Sequence, residues 1–275
     1  MTTSPILVIG ATGKVGRRVL ANLAAQGHAA RPAGRRTPLP FDWQDRSNWA
    51  AHFAGIDTAF VAYYPDLASP QGAEDIAALV AVAKAAGLKR MVLLSGRGES
   101  GAVRAENVLR DSGLGYTVVR AAFFNQNFSE GMMYPGVMQG ILALPAGQRV
   151  EPFVDVDDIA EIAASALVDD RHHNRLYEVT GPRLISFADA VAEIGAATGR
   201  SVQYAPISLD DFHAAMAGEV GPEDAELYTE LFRELFDGRN ESVTDGVQQA
   251  LGRPPRDFAD FCRTVARSGA WHQAA

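Results

Sequence analysis

The chain has 275 residues, 47% of them hydrophobic, a formal charge of −8 and a pI of about 5.3. That length builds one large domain or a domain with a smaller lobe. The acidic balance, with no stretch that concentrates Lys and Arg, argues against a phosphate-tracking nucleic-acid surface. No apolar run nears the roughly 18 residues of a membrane span, and the opening Met-Thr-Thr-Ser-Pro lacks the basic n-region of a secretory signal. The single cysteine, Cys262, excludes an internal disulfide and fits a reducing, cytoplasmic setting.

A short apolar run, Ile6-Leu-Val-Ile9, reads as a buried parallel strand. Gly10, Gly13 and Gly16 follow, and then a helical pattern with Val15, Val19 and Leu23 on one face. Strand, glycine turn and helix in this order are the context of a dinucleotide site. Gly10 permits the tight turn, Gly13 lets the backbone approach a pyrophosphate, and Gly16 lets the helix pack close to the strand. The N–H groups of the first helical turn then face the phosphates. The spacing is G-x-x-G-x-x-G rather than the commoner G-x-G-x-x-G. The expected cofactor contacts of this loop are Gly10, Thr12, Gly13, Lys14, Val15 and Gly16.

Strand-like and helical runs then alternate. Ala29 to Gly34 reads as a second strand, although Pro32 lacks the N–H a central strand needs. Leu39 to Phe41 reads as a short third strand, and Ser47 to Phe53 as a short helix with Ser47 as N-cap. Thr58 to Ala62 is a fourth strand, and Ala73 to Ala86 a helix ended by Gly87. Arg90 to Leu94 is a fifth strand, Gly101 to Ser112 a helix, and Tyr116 to Arg120 a sixth strand. This alternation predicts an α/β fold with a doubly wound parallel Rossmann sheet, whose ligands bind at the carboxyl ends of the strands.

After residue 121 the pattern becomes aromatic, Met-rich and irregular through Phe123-Phe-Asn-Gln-Asn-Phe128 and Met132-Met-Tyr-Pro-Gly136. Val156 to Leu167 returns to a helix, Leu176 to Val179 to a strand, and Ser186 caps a helix that runs to Ala197. Acidic amphipathic segments follow around 208–217 and 222–237. The expected division is a dinucleotide-binding core over 1–122, completed by 150–180, and a smaller, mostly helical substrate lobe over 123–149 and 181–275.

The strand-end rule selects the remaining candidates. Arg35 and Arg36 follow the second strand, and no Asp or Glu occurs between Arg17 and Asp42. An acidic residue there would hold a ribose 2′-hydroxyl, whereas arginine accommodates a 2′-phosphate, so NADP(H) is the expected cofactor. The other reading is two solvated arginines. Asp42 is either a partner of the adenine amine or a turn carboxylate. Ala62 and Tyr63 are expected beside the cofactor, and Tyr63 and Tyr64 are candidate proton donors or ordinary pocket walls. Ser95 either faces the nicotinamide, as a cofactor contact and catalytic candidate, or caps the following turn. Glycines 96, 98 and 101 predict a mobile loop there. Glu106 is expected to be a solvated helix residue, the alternative being a partner of Ser95 or Arg120. Asp155, Asp157 and Asp158 sit where a helix starts, which explains them better than a metal does. His172 and His173 are expected to be exposed in a polar loop.

With these positions assigned, the chain resembles the NmrA-like atypical short-chain dehydrogenase/reductases, and more closely the bacterial members grouped with ergot-alkaloid-type reductases. The residues that carry the resemblance are Gly10-Ala-Thr-Gly-Lys-Val-Gly16, Phe41-Asp-Trp43, Leu93-Leu-Ser95, Tyr116-Thr-Val-Val-Arg120, Phe124-Asn-Gln-Asn127, Phe153-Val-Asp-Val-Asp-Asp-Ile-Ala160 and Tyr177-Glu-Val-Thr-Gly-Pro182. The chain departs from the family at Ala121-Ala122, where a proline usually follows the arginine. The resemblance implies NAD(P)H binding, with Phe123 and Phe124 beside the cofactor. Family members include reductases of enones, quinones, imines and dyes, and also redox-sensing regulators without turnover.

Standard short-chain dehydrogenases use a Tyr proton donor with a Lys four residues later. Here the segment from Ser95 to Ser112 has neither, and the chain holds only Lys14, Lys84 and Lys89. A phenol without such a partner keeps a pKa near 10 and is a slow acid at pH 7. The expected function is therefore NADPH-dependent reduction of a small, activated, mostly apolar acceptor. The alternatives are an NADP(H)-sensing regulatory protein of the NmrA type and an epimerase with a retained cofactor. The expected state is a monomer or homodimer, with a small-molecule substrate as partner and neither nucleic acid nor membrane.

Overall fold

The computed structural model describes residues 4–272. In chain order its first elements are β1 (Ile6–Ile9), α1 (Lys14–Ala25), β2 (Ala30–Ala33), α2 (Trp49–Phe53), β3 (Thr58–Val61), α3 (Gly72–Ala85), β4 (Arg90–Gly96), α4 (Ser100–Arg110) and β5 (Gly115–Ala121). There follow α5 (Asn127–Glu130), α6 (Tyr134–Gln139), β6 (Ile141–Leu144), β7 (Val150–Glu151), α7 (Val156–Val168), β8 (Arg175–Val179), β9 (Ile185–Ser186) and α8 (Phe187–Thr198). The last are β10 (Gln203–Pro206), α9 (Leu209–Val220), α10 (Pro222–Leu235), α11 (Gly246–Leu251) and α12 (Phe258–Ser268). None of these helices is long and apolar enough to cross a membrane.

Two units emerge. The first comprises Met1–Ala121, Val156–Val179 and Gly246–Arg253, and the second Ala122–Asp155, Thr180–Asp245 and Pro254–Ala275. In the first, the described residues form a six-stranded sheet in the order β2-β1-β3-β4-β5-β8, parallel throughout. The chain turns outward from β1 in both directions, which makes its carboxyl end the switch point of a doubly wound sheet. Alternate residues feed the two faces. Leu7, Ile9, Val61, Met91 and Leu93 join Phe53, Leu79 and Leu109 in one core cluster, while α1 packs on α7.

Local chemistry explains where the elements differ from expectation. Pro32 is tolerated because β2 is an edge strand. No third strand forms at Leu39 to Phe41: Pro38 and Pro40 remove alternate donors, and only a Gly34–Pro40 bridge survives. The short helix before β3 is capped by Asp45, not Ser47. The Asp45 carboxylate accepts the Ser47 N–H at 3.0 Å and opens a 3-10 turn that runs into α2. β4 extends through Gly96, so Ser95 lies inside a strand rather than after it.

The unit boundaries also differ from the expected ones. Residues 150–155 fall in the second unit, and Gly246–Arg253 returns to the first. There α11 covers the edge strand β8; a methyl group at Gly246 would stand 2.1 Å from the Glu178 carbonyl oxygen. Arg253 then pairs with Asp158 and Glu161 on α7. His172 is buried at 2% exposure, against the expectation for a polar loop. Its Nε2 lies 2.9 Å from Ser165 Oγ and its Nδ1 2.9 Å from the Tyr177 hydroxyl.

The second unit is built around aromatic rings. Phe128, Phe153, Phe187, Phe232, Phe258 and Trp271 are fully buried together, and the Trp271 indole donates to the Phe128 carbonyl at 3.0 Å. The stretch expected to be irregular forms α5 and α6, and its Met133 and Val137 join this core. Ser186 caps α8 as expected, in a reciprocal box with Asp189.

Two outcomes are expected from this packing. A methyl group at Gly16 would stand 2.2 Å from the Gly10 carbonyl oxygen, so Gly16→Ala should lower stability by about 1–3 kcal/mol in denaturant titration. Gly218→Ala, in α9 with open space around it, should not destabilise. Equal midpoints for the two variants would remove the packing argument. Burial disfavours the imidazolium of His172 and holds its pKa below the ordinary 6.5, and the same is true of His52. The neutral rings thus stabilise the fold fully above about pH 6.5, and that contribution is lost as pH falls through the folded pKa. Stability should decline between pH 7 and 5, and His172→Gln should flatten part of the decline; an unaltered slope would show that His172 is not its source.

Candidate dinucleotide site

The site begins at the turn that leaves β1. Gly10 has φ +81°, a conformation L side chains rarely adopt, and a Cβ there would press to 2.9 Å on that of Ala62. Gly10 and Ala11 both donate to the Ala33 carbonyl, at 3.0 and 3.1 Å, and the Gly13 N–H closes the turn onto the Gly10 carbonyl at 3.0 Å. Ala62 donates to the Ile9 carbonyl at 3.1 Å, which pins the β3 exit to the same corner. Gly13 is the N-cap of α1 and makes no side-chain cap bond, and no acidic residue stands in the first turn. Such a helix end favours an anion. Thr12 and Gly13 are exposed at its mouth, whereas Val15 is buried in the core and offers only its backbone. The cradle fits a pyrophosphate: its floor is backbone, and side chains at Gly10 and Gly16 would fill or break it.

Beyond β2, the Gly34 carbonyl accepts from the N–H groups of Thr37 and Phe41 and shapes the following loop. Arg35 and Arg36 are exposed, and the Arg35 guanidinium lies over the Tyr64 ring, 4.6 Å from its centroid. Asp42 acts as a turn carboxylate, accepting the Gln44 N–H at 3.0 Å. Trp43 turns inward to pack against Phe41, Trp49 and Tyr63.

The two tyrosines after β3 diverge. Tyr63 donates to Asp75 at 2.7 Å, and Asp75 also accepts from Arg46 at 2.6 Å. Burial, and then this bond, push the Tyr63 pKa up to about 12. A hydroxyl so engaged is a poorer acid than a free phenol. Tyr64 is 58% exposed.

Ser95 anchors a buried charge network. Its Oγ donates to Glu106 Oε1 at 2.6 Å. Arg120 grips the same carboxylate with Nε at 2.9 Å and Nη2 at 2.5 Å, and reaches Glu178 at 3.3 Å. Arg97 donates to Glu178 at 2.8 Å. The sheet register explains the assembly: Ser95 pairs with Arg120, and Arg120 with Glu178, so three adjacent strands present these side chains on one face. Glu106 is therefore fully buried, not solvated as expected. Contact with it raises the pKa of Arg120 and keeps the guanidinium charged.

Of the neighbouring glycines, Gly101 serves close packing, since a Cβ there would stand 2.1 Å from the Ala68 carbonyl oxygen, and Gly98 takes the left-handed conformation at φ +79°. Glu178 and Arg97 were not anticipated; an acidic residue inside an otherwise apolar strand was the available signal.

Phe123 and Phe124 belong to the second unit. The Phe123 ring packs against Phe153, Phe187, Phe232 and Phe236, and Phe124 bridges to Val154. The acidic cluster is divided among partners: Asp155 accepts from Gln126 at 2.8 Å, Asp157 from Arg18 at 2.8 Å and Asp158 from Arg253 at 2.7 Å. No group of three or more His, Cys, Asp or Glu among the described residues is arranged to hold a metal ion. Lys84 donates to the Ser112 carbonyl, and Lys89 pairs with Asp57 at 2.9 Å.

A family profile described as NAD(P)H-binding matches residues 10–170. The chain is 32% identical to the NAD(P)H azoreductase of Xenophilus azovorans, over 95% of its own length and 98% of the relative. It is 27% identical to agroclavine dehydrogenase of Claviceps fusiformis, over 93% of its length and 95% of the relative. Among solved structures, a nucleoside-diphosphate-sugar epimerase from Staphylococcus aureus shares the fold with a TM-score of 0.81 at 18% identity, covering 94% of this chain and 99% of that one. The chain belongs to the NAD(P)H-binding family, among the NmrA-like atypical short-chain dehydrogenase/reductases that its motifs resemble.

Proposed function

We propose that the protein is an NADPH-dependent reductase of a small, activated, mostly apolar acceptor such as an enone, quinone or iminium ion, working without a Tyr–Lys pair. One observation carries the reading: the hydroxyls of Tyr63 and Ser95 are each already engaged by a carboxylate, Asp75 and Glu106. Reduction of a simple ketone needs proton delivery to a developing alkoxide. An activated acceptor needs far less help, because hydride turns an iminium ion into a neutral amine and leaves an enone or quinone with a delocalised enolate or phenolate charge. The bound nicotinamide supplies the hydride.

The chain's own part is to bind and orient. The Gly10–Gly16 turn and the uncapped start of α1 suit the pyrophosphate, and Arg35 suits the 2′-phosphate. Fixed positioning of two reactants supplies much of a rate when no strong acid is required. Relatives named as an azoreductase and a dehydrogenase support oxidoreductase chemistry.

An arginine–phosphate contact of this kind contributes on the order of 1.5–3 kcal/mol. Arg35→Ala should therefore weaken NADPH roughly ten- to a hundred-fold and leave NADH nearly unchanged in a fluorescence titration. Equal loss for both cofactors would take Arg35 off the phosphate. Across a panel of acceptors, turnover should be confined to enones, quinones and iminium ions. Ser95→Ala should cost less than the roughly 100-fold that losing a true general acid costs at minimum. Fast reduction of a plain ketone, abolished by Ser95→Ala, would reveal a proton donor and sink the proposal.

A further inference from the structure

Arg35 and Tyr64 meet although the topology separates them. Arg35 follows β2 and Tyr64 follows β3, with β1 between the two strands. Strands in that relation lie about 9–10 Å apart, yet the guanidinium carbon is 4.6 Å from the ring centroid. The contact therefore forms beyond the carboxyl end of β1, where the glycine turn begins.

Its environment differs from that of the paired arginines. Arg18, Arg120, Arg183 and Arg253 each bind a carboxylate, and Arg46, which also lies over a ring, is held by Asp75 as well. Among the described residues nothing accepts a hydrogen bond from the Arg35 side chain, and the Tyr64 ring is its one recorded partner. A guanidinium held against a ring rather than by a carboxylate keeps N–H donors available for an anion. A carboxylate partner would have neutralised the charge and occupied the fork. A freely rotating arginine would lose more conformational entropy on meeting a phosphate.

We propose that Tyr64 is a positioning residue that sets the preference for NADPH over NADH by holding Arg35 ready for the 2′-phosphate. This rests on the assignment of that phosphate to Arg35. It gives Tyr64 a role through its ring face, with no need of the hydroxyl as a proton donor.

The test is direct titration of NADPH and NADH by nicotinamide fluorescence on the wild type, Tyr64→Leu, Tyr64→Phe, Arg35→Ala and the double variant Tyr64→Leu/Arg35→Ala. Loss of an exposed cation–π contact should weaken NADPH roughly two- to five-fold in Tyr64→Leu, leave NADH unchanged, and be rescued in Tyr64→Phe. The double variant should bind NADPH no more weakly than Arg35→Ala alone. Equal loss for both cofactors in Tyr64→Leu, a loss that persists on the Arg35→Ala background, or no rescue by Phe would each overturn the proposal. If Arg35→Ala shifts the cofactor ratio and Tyr64→Leu does not, only the role of Tyr64 falls. If Arg35→Ala leaves the ratio unchanged, the phosphate assignment falls and this inference with it.

Discussion

The approach of α1 to the end of β1 is the constraint on which the cofactor corner depends. Two backbone segments come together where Gly16 faces Gly10, leaving no room for a methyl group. That closeness aims the start of the helix at the turn, and the turn in turn sits under the exits of β2 and β3 through the Ala33 and Ile9 carbonyls. Four chain segments are thus registered by main-chain contacts alone. A backbone site of this kind recognises a phosphate by geometry and dipole, without a charged side chain having to be desolvated.

The opposite half of the sheet is organised by charge. The Ser95–Glu106–Arg120–Glu178–Arg97 chain, partly buried and centred on the fully buried Glu106, ties β4, β5, β8 and α4 together. Buried ion pairs of this kind contribute little net stability, because desolvation offsets the attraction, but removing one partner strands the other. Their value here is registry: Arg120 meets both carboxylates only when β5 lies in step with its two neighbours. The end of the sheet proposed for the adenosine, by contrast, is lightly tied, with Arg35 held by a ring and Asp42 by one turn bond.

Legibility in the sequence followed the range of the interactions. The glycine turn, the alternation of strands and helices and the Ser186 cap are local, and each could be read from a few adjacent residues. Failures came where a distant partner decides. Glu106 looks like a solvated helix residue until Arg120, fourteen positions away, covers it. His172 looks like a loop residue until Ser165 and Tyr177 enclose it. Ser95 stands out in the sequence by its place near a strand end, but its hydroxyl points to a carboxylate that spacing alone does not reveal. Pro38 and Pro40 are the local counterexample: their effect on pairing is written in adjacent residues, and it outweighs the apolar character of Leu39 to Phe41. The separation of Tyr63 from Tyr64 rests on Asp75, a helix residue in a different element.

The return of Gly246–Arg253 to the first unit has a consequence for how the protein is made. A ribosome releases the chain from its N-terminus, and domains generally fold as units as they emerge. Here β8 stays without its α11 cover, and Asp158 without the Arg253 side chain, until the last tenth of the chain is being synthesised. The nascent sheet must wait, with an edge strand uncovered, through the whole translation of the second unit's central segment. A single cut between the two units cannot yield two complete pieces, because the chain passes from one to the other five times.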